Sequence, residues 1–236
     1  MFPPMATLFD PPAPVIAPTS EGPGFPVRRI FCIGQNYAAH AREMGSTPDG
    51  SAPFFFTKWA DTVALSGTTI AYPPETSDYH FEAELVVAIG KGGRSIAPAD
   101  AAAHIYGSAT GLDMTRRDLQ AQAKGKGRPW DVGKNVEQAA PLGLIHPASE
   151  TGPMDAGHIG LTCNGDVRQD GDLSDMITSI PDIIAYISRF YRLEPGDLIY
   201  TGTPSGVGPV AVGDHLIVTI DGLTPCEVRI GAPEAA

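Results

Sequence analysis

The sequence is short of cysteine and of positive charge, and it has no long apolar run. Its three cysteines, Cys32, Cys163 and Cys226, are far apart, odd in number and without C-x-x-C spacing, which argues against a disulfide framework or a zinc knuckle and fits a reducing compartment. Sixteen Lys and Arg against 27 Asp and Glu leave a formal net charge of -11. General binding to nucleic acid or anionic membrane, which needs net positive charge, is therefore not expected. No apolar stretch approaches the roughly 20 residues that span a bilayer, and the N-terminus lacks a basic segment followed by an apolar core. A cytoplasmic protein is expected. Two glycine-rich stretches also fail as phosphate motifs. After residues 80–90 the pattern G-x-G-x-x-G/A breaks at Ser95, and TGTPSGVG at 201–208 lacks the Gly-Lys-Ser/Thr ending of a P-loop.

What is present is a chain of 236 residues, 42% hydrophobic and 18% charged, enough for one well-buried main domain. Prolines at 3, 4, 11, 12, 14, 18, 23 and 26 predict an extended arm over residues 1–26, because each fixes φ and removes a donor. Residues 27–236 form the main domain. VRRIFCIG reads as a strand and NYAAHAREMG as a short helix closed by Gly45. IYGSATGLD predicts a strand and TRRDLQAQAKGKG a following helix opened by a Thr115/Asp118 capping box; Ser179 and Asp182, with Pro181, have the same spacing before a core helix of Ile180, Ile183, Ile184, Ile187 and Tyr191. DHLIVTI and CEVRI are joined by Asp221-Gly222 in a hairpin-like turn. Many strands with few, short helices make the class α+β, mainly β, rather than alternating βαβ units.

Within HFEAELVVAIG, residues 80–90, Glu82 and Glu84 interrupt what otherwise reads as a buried strand. Side chains two apart on a strand share a face, and burying two unpaired carboxylates together costs several kcal/mol. Either that face is wet or something cationic sits there. Asp113, at a strand end ahead of a helix, supplies a third carboxylate. The three make a hard, incomplete oxygen shell suited to Mg²⁺ or Mn²⁺, with waters and substrate completing an octahedron; zinc suits it less, since no Cys or His cluster accompanies it. An exposed strand with a wet glutamate face accounts for the same spacing equally well.

His40 and Glu43, three apart on a helix, have the spacing of a general-base pair and equally that of a solvated i,i+3 pair. Lys134, read alone, is compatible with a surface lysine. Arg116, Arg117, Lys124, Lys126, Arg128 and Lys134 crowd into one segment of an acidic chain, either a solvated basic face or a patch for an anionic substrate. Trp130 is the only aromatic among them, so a nucleic-acid stripe lacks stacking partners.

Taken in order, IGQNYAAHAREMG, FEAELVVAIG, GLDMTRRDLQ, GKGRPWDVGKN and PGDLIYTGTPSGVG resemble the fumarylacetoacetate hydrolase family over about residues 25 to 231, and within it most of all the bacterial members that act on acylpyruvates. The resemblance implies a mixed β-sheet roll with short helices, a homodimer, Mg²⁺ or Mn²⁺ as cofactor, and cleavage of a C–C bond in a 1,3-diketo acid such as 3-fumarylpyruvate, in gentisate-type aromatic catabolism. The same metal chemistry in an isomerase or decarboxylase, on hydroxymuconate-type diacids or oxaloacetate, is the alternative. Carried over by position, Glu82, Glu84 and Asp113 match metal ligands, and His40 with Glu43 a water-activating pair on a lid-like helix. Lys134 and Gln120 match groups around the reacting carbonyls, and Arg117 and Thr201 groups that position the substrate. Gln35 stands where many relatives have arginine, and Trp59 follows Lys58 where proline is frequent; both departures are expected at the mouth of the site, near the distal carboxylate.

Overall fold

The computed structural model describes residues 8–10, 12–45 and 52–234. Five α-helices are used below: α1 (Ala38–Glu43), α2 (Arg117–Gly125), α3 (Asp131–Lys134), α4 (Ala148–Thr151) and α5 (Ile180–Phe190). Among the described residues, everything else regular is strand or 3-10 turn. The central sheet runs Phe54–Lys58, Arg29–Gly34, Asp197–Tyr200, Ala83–Ile89, Ile105–Leu112, Ala140–Leu142, Val63–Leu65. It is mixed: Asp197–Tyr200 pairs in parallel with Arg29–Gly34, and Ala140–Leu142 with Val63–Leu65, while the other neighbours on this path are antiparallel. A second sheet of five strands carries Asp166–Asp172, His158–Cys163, His215–Ile220, Cys226–Gly231 and Thr69–Ala71. The class is α+β, mainly β.

Ala83–Ile89 is buried along its whole length, and its alternation explains why. Leu85, Val87 and Ile89 face the cluster containing Ile183, Ile184 and Ile187 of α5, whereas Val86 and Ala88 face Ile30, Cys32, Leu198 and Tyr200. A sheet covered on both faces shows no polar alternation, and each fully buried aliphatic side chain contributes about 1.5–3 kcal/mol. Ser179 caps α5 by accepting from the Asp182 amide, and Pro181 lies in its first turn. The turn after His215–Ile220 forms at Asp221-Gly222, with Gly222 at φ 79°.

Three local expectations are corrected. Thr115 and Asp118 do not form a capping box: the residue before α2 is Arg116, Thr115 donates to the Asp113 carbonyl, and Asp118 accepts from Thr76 at 2.6 Å. The run at 80–90 is not one strand, because Tyr79–Phe81 belongs to a separate three-stranded sheet and the chain passes to the central sheet at Glu82. Tyr191 lies just past α5 and is exposed.

Of the proline-rich arm, residues 1–7 and Pro11 lie outside the described residues. Ile16–Ala17 pairs with Phe25–Pro26, and Ala17 and Phe25 are buried against the body.

Candidate metal centre

Glu82, Glu84 and Asp113 meet where the small sheet hands over to the central one. The Asp113 amide bonds the Glu82 carbonyl at 2.9 Å, which locks the strand end carrying Asp113 beside the glutamates. One carboxylate oxygen from each of the three lies within 4.8 Å of the others, and all three residues are buried. The face is therefore not wet, and three cations answer it. Lys134 Nζ donates to Glu82 Oε2 and Asp113 Oδ2, both at 2.8 Å; Arg117 Nη2 donates to Glu82 Oε1 at 2.5 Å; Lys58 Nζ lies 2.8 Å from Asp113 Oδ1. Lys58 directs its hydrogen bonds to the carbonyls of Met114 (3.0 Å) and Ala139 (2.7 Å), so Asp113 Oδ1 is ion-paired yet has no directed donor.

The electrostatics differ along the trio. Burial, then the charges of Asp113 and Glu82, push the Glu84 carboxyl well above its ordinary range, against the one amide, Gly202 N–H, that bonds it at 2.8 Å. Burial acts the same way on Glu82, but Lys134, Arg117 and His40 outweigh it and hold its carboxyl below that range. Burial also opposes the Lys134 charge, and Asp113 and Glu82 outweigh it and raise its pKa.

These observations test the donor set for a cation. Three hard oxygens converge, one has no directed hydrogen bond, and another belongs to a carboxylate whose charge is opposed by its neighbours. That set fits a divalent ion held through oxygen alone, Mg²⁺ or Mn²⁺. With all three carboxylates ionised the three cations balance them, so a divalent ion would bring an excess of positive charge, which suits an anionic group of a ligand bound at the trio.

His40 and Glu43 sit on α1, which overhangs the trio. His40 is buried, its Nδ1 is 3.2 Å from Glu43 Oε2, and it lines the same cavity as the three carboxylates. Glu43 is held in turn by the Gly206 amide at 3.2 Å, and the Met44 carbonyl accepts from Lys124 Nζ at 3.2 Å. The loop 201–208 thus reaches both groups, through Gly202 to Glu84 and through Gly206 to Glu43. Gly202 has φ 102°, and a Cβ there would meet the Asn36 Cβ at 2.6 Å, so no other residue presents that amide without strain.

Gln35, Arg117, Gln120 and Lys134 also line the cavity. Arg117 Nη1 donates to Gln120 Oε1 at 2.6 Å, which engages the amide oxygen and leaves the nitrogen of this cavity-lining residue as its donor. Lys134 ends α3, and α3 packs on α2 because Gly133 has no Cβ: one built there would lie 2.8 Å from Gln120 N. Thr201 is placed differently from expectation. It is fully buried and its hydroxyl donates to the Leu85 carbonyl at 3.0 Å, whereas Thr203 lines the cavity. The mouth reading fails for Trp59, which is exposed and does not line the cavity; Lys58 before it is buried beside Asp113. The basic segment is not one patch either, since Arg117 and Lys134 are buried in the ion-pair network and Arg116 turns to the Val132 carbonyl.

Four supporting residues escaped the sequence. Besides Lys58, His80 takes a hydrogen bond from Arg117 Nε at 3.4 Å and gives one to Asp78 at 2.7 Å, and burial followed by the Arg117 charge lowers its pKa. Gln169 accepts from the Ala83 amide and donates to Thr203 and Pro204, and Asn36 donates to the Thr201 carbonyl. Of the four, only His80 carried a local signal, standing two residues before Glu82 as Glu82 stands before Glu84.

Three buried carboxylates that fit a divalent ion, with a histidine and its glutamate partner in the same cavity, are the arrangement of a metal-dependent enzyme. Residues 29–231 match the family described as fumarylacetoacetate (FAA) hydrolase C-terminal. A fumarylpyruvate hydrolase of Ralstonia sp is 46% identical over 193 residues, covering 81% of this chain and 100% of that protein. The mitochondrial oxaloacetate tautomerase of Homo sapiens is 40% identical over 207 residues, 88% of this chain and 93% of its own. Among solved structures, fumarylpyruvate hydrolase from Pseudomonas aeruginosa in complex with Mn²⁺ and pyruvate superposes with a TM-score of 0.94 at 47% identity, covering 96% of this chain and 100% of that one. The protein belongs to the fumarylacetoacetate hydrolase family.

Proposed function

We propose that this protein hydrolyses the C–C bond of an acylpyruvate, 3-fumarylpyruvate in the first place, to a carboxylate and pyruvate. The observation that carries this reading is that His40, oriented by Glu43, lines the same cavity as Glu82, Glu84 and Asp113. The Ralstonia relative and the pyruvate-bound Pseudomonas structure support the choice of substrate.

Glu82, Glu84 and Asp113 would hold the divalent ion. When bound, the ion supplies Lewis-acid polarisation of the substrate's carboxylate and 2-keto oxygens. With Nδ1 given to Glu43, His40 has Nε2 left to take a proton from water, and the hydroxide so formed attacks the distal keto carbon. The bond between that carbon and the methylene breaks, its electron pair passes into the enolate of pyruvate, and the proton on His40 is available to the enolate carbon. Lys134 has three donors and two are engaged by carboxylates, so one remains for the oxygen on which charge develops. The Gln120 amide nitrogen donates to a second substrate oxygen. The cavity has a volume of about 30 Å³, room for about two waters, so the lining side chains rearrange when substrate enters.

Following the loss of 3-fumarylpyruvate absorbance with Mn²⁺ and with chelator, together with product analysis, tests the reading. Metal-dependent release of equimolar pyruvate and fumarate is expected; an isomer without pyruvate would reject hydrolysis. A second reading, oxaloacetate keto–enol interconversion, draws on the tautomerase relative. It also needs a base for the C3 proton, a part His40 can equally take, but it consumes no water and releases no pyruvate, so product analysis and not His40→Ala separates the two readings.

A further inference from the structure

We infer that Lys124 is the residue that selects substrates carrying a second, distal carboxylate. The inference rests on the acylpyruvate reading above and adds to it which group recognises the far end of the molecule.

A diacid substrate brings two charges. The charge balance around the trio provides for the pyruvoyl end, and the far carboxylate needs a cation of its own, since an unpaired carboxylate inside a protein cavity is costly. Three cations line the cavity: Arg117, Lys124 and Lys134. Arg117 is bound to Glu82, and Lys134 to both Glu82 and Asp113. Lys124 differs, because the partner recorded for its ammonium is a neutral carbonyl, Met44 O at 3.2 Å. Gln35, also in the lining, contributes an amide and no charge.

Position agrees with charge. Arg117, Gln120 and Lys124 occupy successive turns of one face of α2; Arg117 (8% exposed) and Gln120 (7% exposed) are buried, and Lys124 is exposed. That face leads from the metal ligands to the mouth. Seven residues of helix place the Lys124 Cα about 10 Å beyond that of Arg117. The seven-carbon chain of fumarylpyruvate, six bonds end to end, spans about 7 Å at the per-bond reach of an extended polypeptide. With one end at the trio, the other arrives within reach of a lysine at the mouth. The exchange is balanced, since Lys124 gives up a carbonyl at the C-terminus of α1 for a carboxylate.

The test is Lys124→Met, which keeps most of the aliphatic stem and removes the charge. The ratio of kcat/KM for fumarylpyruvate to that for acetylpyruvate, which has no distal charge, should fall roughly five- to thirtyfold, between the effects of an exposed ion pair and a buried charged hydrogen bond. Lys124→Arg should restore most of it. The Ki of fumarate as product inhibitor should rise by a similar factor relative to that of pyruvate. If Lys124 only holds α1 closed, kcat/KM drops equally for both substrates and the ratio stays constant, which would overturn the assignment, as would no change in either. Should the wild type turn over neither substrate, the acylpyruvate reading itself fails. Calorimetric titration of the Mn²⁺-loaded protein with fumarate then decides the point separately: weaker binding to Lys124→Met upholds the anion site, and equal binding removes it.

Discussion

Lys58→Met isolates a residue whose part in the site is visible only in three dimensions. Lys58 is 2% exposed, donates to two buried carbonyls and sits 2.8 Å from Asp113 Oδ1. Methionine keeps the bulk and removes the charge, so Asp113 loses one of its two cations and two carbonyls lose a donor. Removing one partner of a buried pair costs about 3–5 kcal/mol, and at roughly 2–4 °C per kcal/mol for a chain of this size Tm should fall by about 10 °C. Urea denaturation in EDTA measures the loss. The same change removes a positive charge from the side of a metal ligand, so Mn²⁺ should bind the variant at least as tightly as the parent. Mn²⁺ at a hundred times Kd contributes about 2.7 kcal/mol, and the variant should recover a larger share of its stability on adding it. A loss below about 1 kcal/mol in EDTA would refute the reasoning. So would Mn²⁺ affinity reduced tenfold or more, which would make Lys58 a clamp for the Asp113 geometry instead of a counter-charge.

Glu84→Gln removes a proposed ligand while keeping an acceptor for the Gly202 amide, so it should lose tight Mn²⁺ binding without losing stability in EDTA; full metal-dependent activity after chelation would count against the ligand role. His40→Ala should lower kcat for acylpyruvate hydrolysis by roughly 10² to 10⁴ with Mn²⁺ affinity kept, and a variant that loses metal instead would take His40 out of the base role. All three thiols are free and buried, and burial pushes Cys226 up to about 12. At pH 8 only about one Cys226 thiol in 10⁴ is ionised, so a thiol reagent should label none of the three in native protein and all three in guanidinium; prompt native labelling would contradict this.

What the sequence disclosed was periodic or local. E-x-E at a two-residue spacing puts Glu82 and Glu84 together whichever sheet holds them, a strand end before a helix marks Asp113, and the i,i+3 spacing joins His40 to Glu43. The choice between a wet face and a cationic one lay beyond it, because the answer is three cations from three separate segments, Lys58, Arg117 and Lys134. For Lys58, nothing local reveals that its ammonium turns inward to the Met114 and Ala139 carbonyls. Thr115/Asp118 shows how spacing misleads: Thr76, remote in sequence, takes the carboxylate that a capping box would need. Thr201 and Thr203 stand two apart in TGTPSGVG, and only the Leu85 carbonyl above the first decides which of them faces the cavity.

The loop that carries those threonines holds two carboxylates by its main chain, Glu84 through Gly202 and Glu43 through Gly206. Four residues of backbone therefore join a proposed ion ligand to the partner of the proposed base. In the language of linked equilibria this is a thermodynamic cycle: if seating α1 improves ion affinity by some factor, the ion must improve the seating of α1 by that same factor. Stiffening the link, for instance with Ser205→Pro, would enlarge the factor, and lengthening it by inserted glycines would bring it towards one. The glycines here set how far occupancy of one half of the site reports to the other.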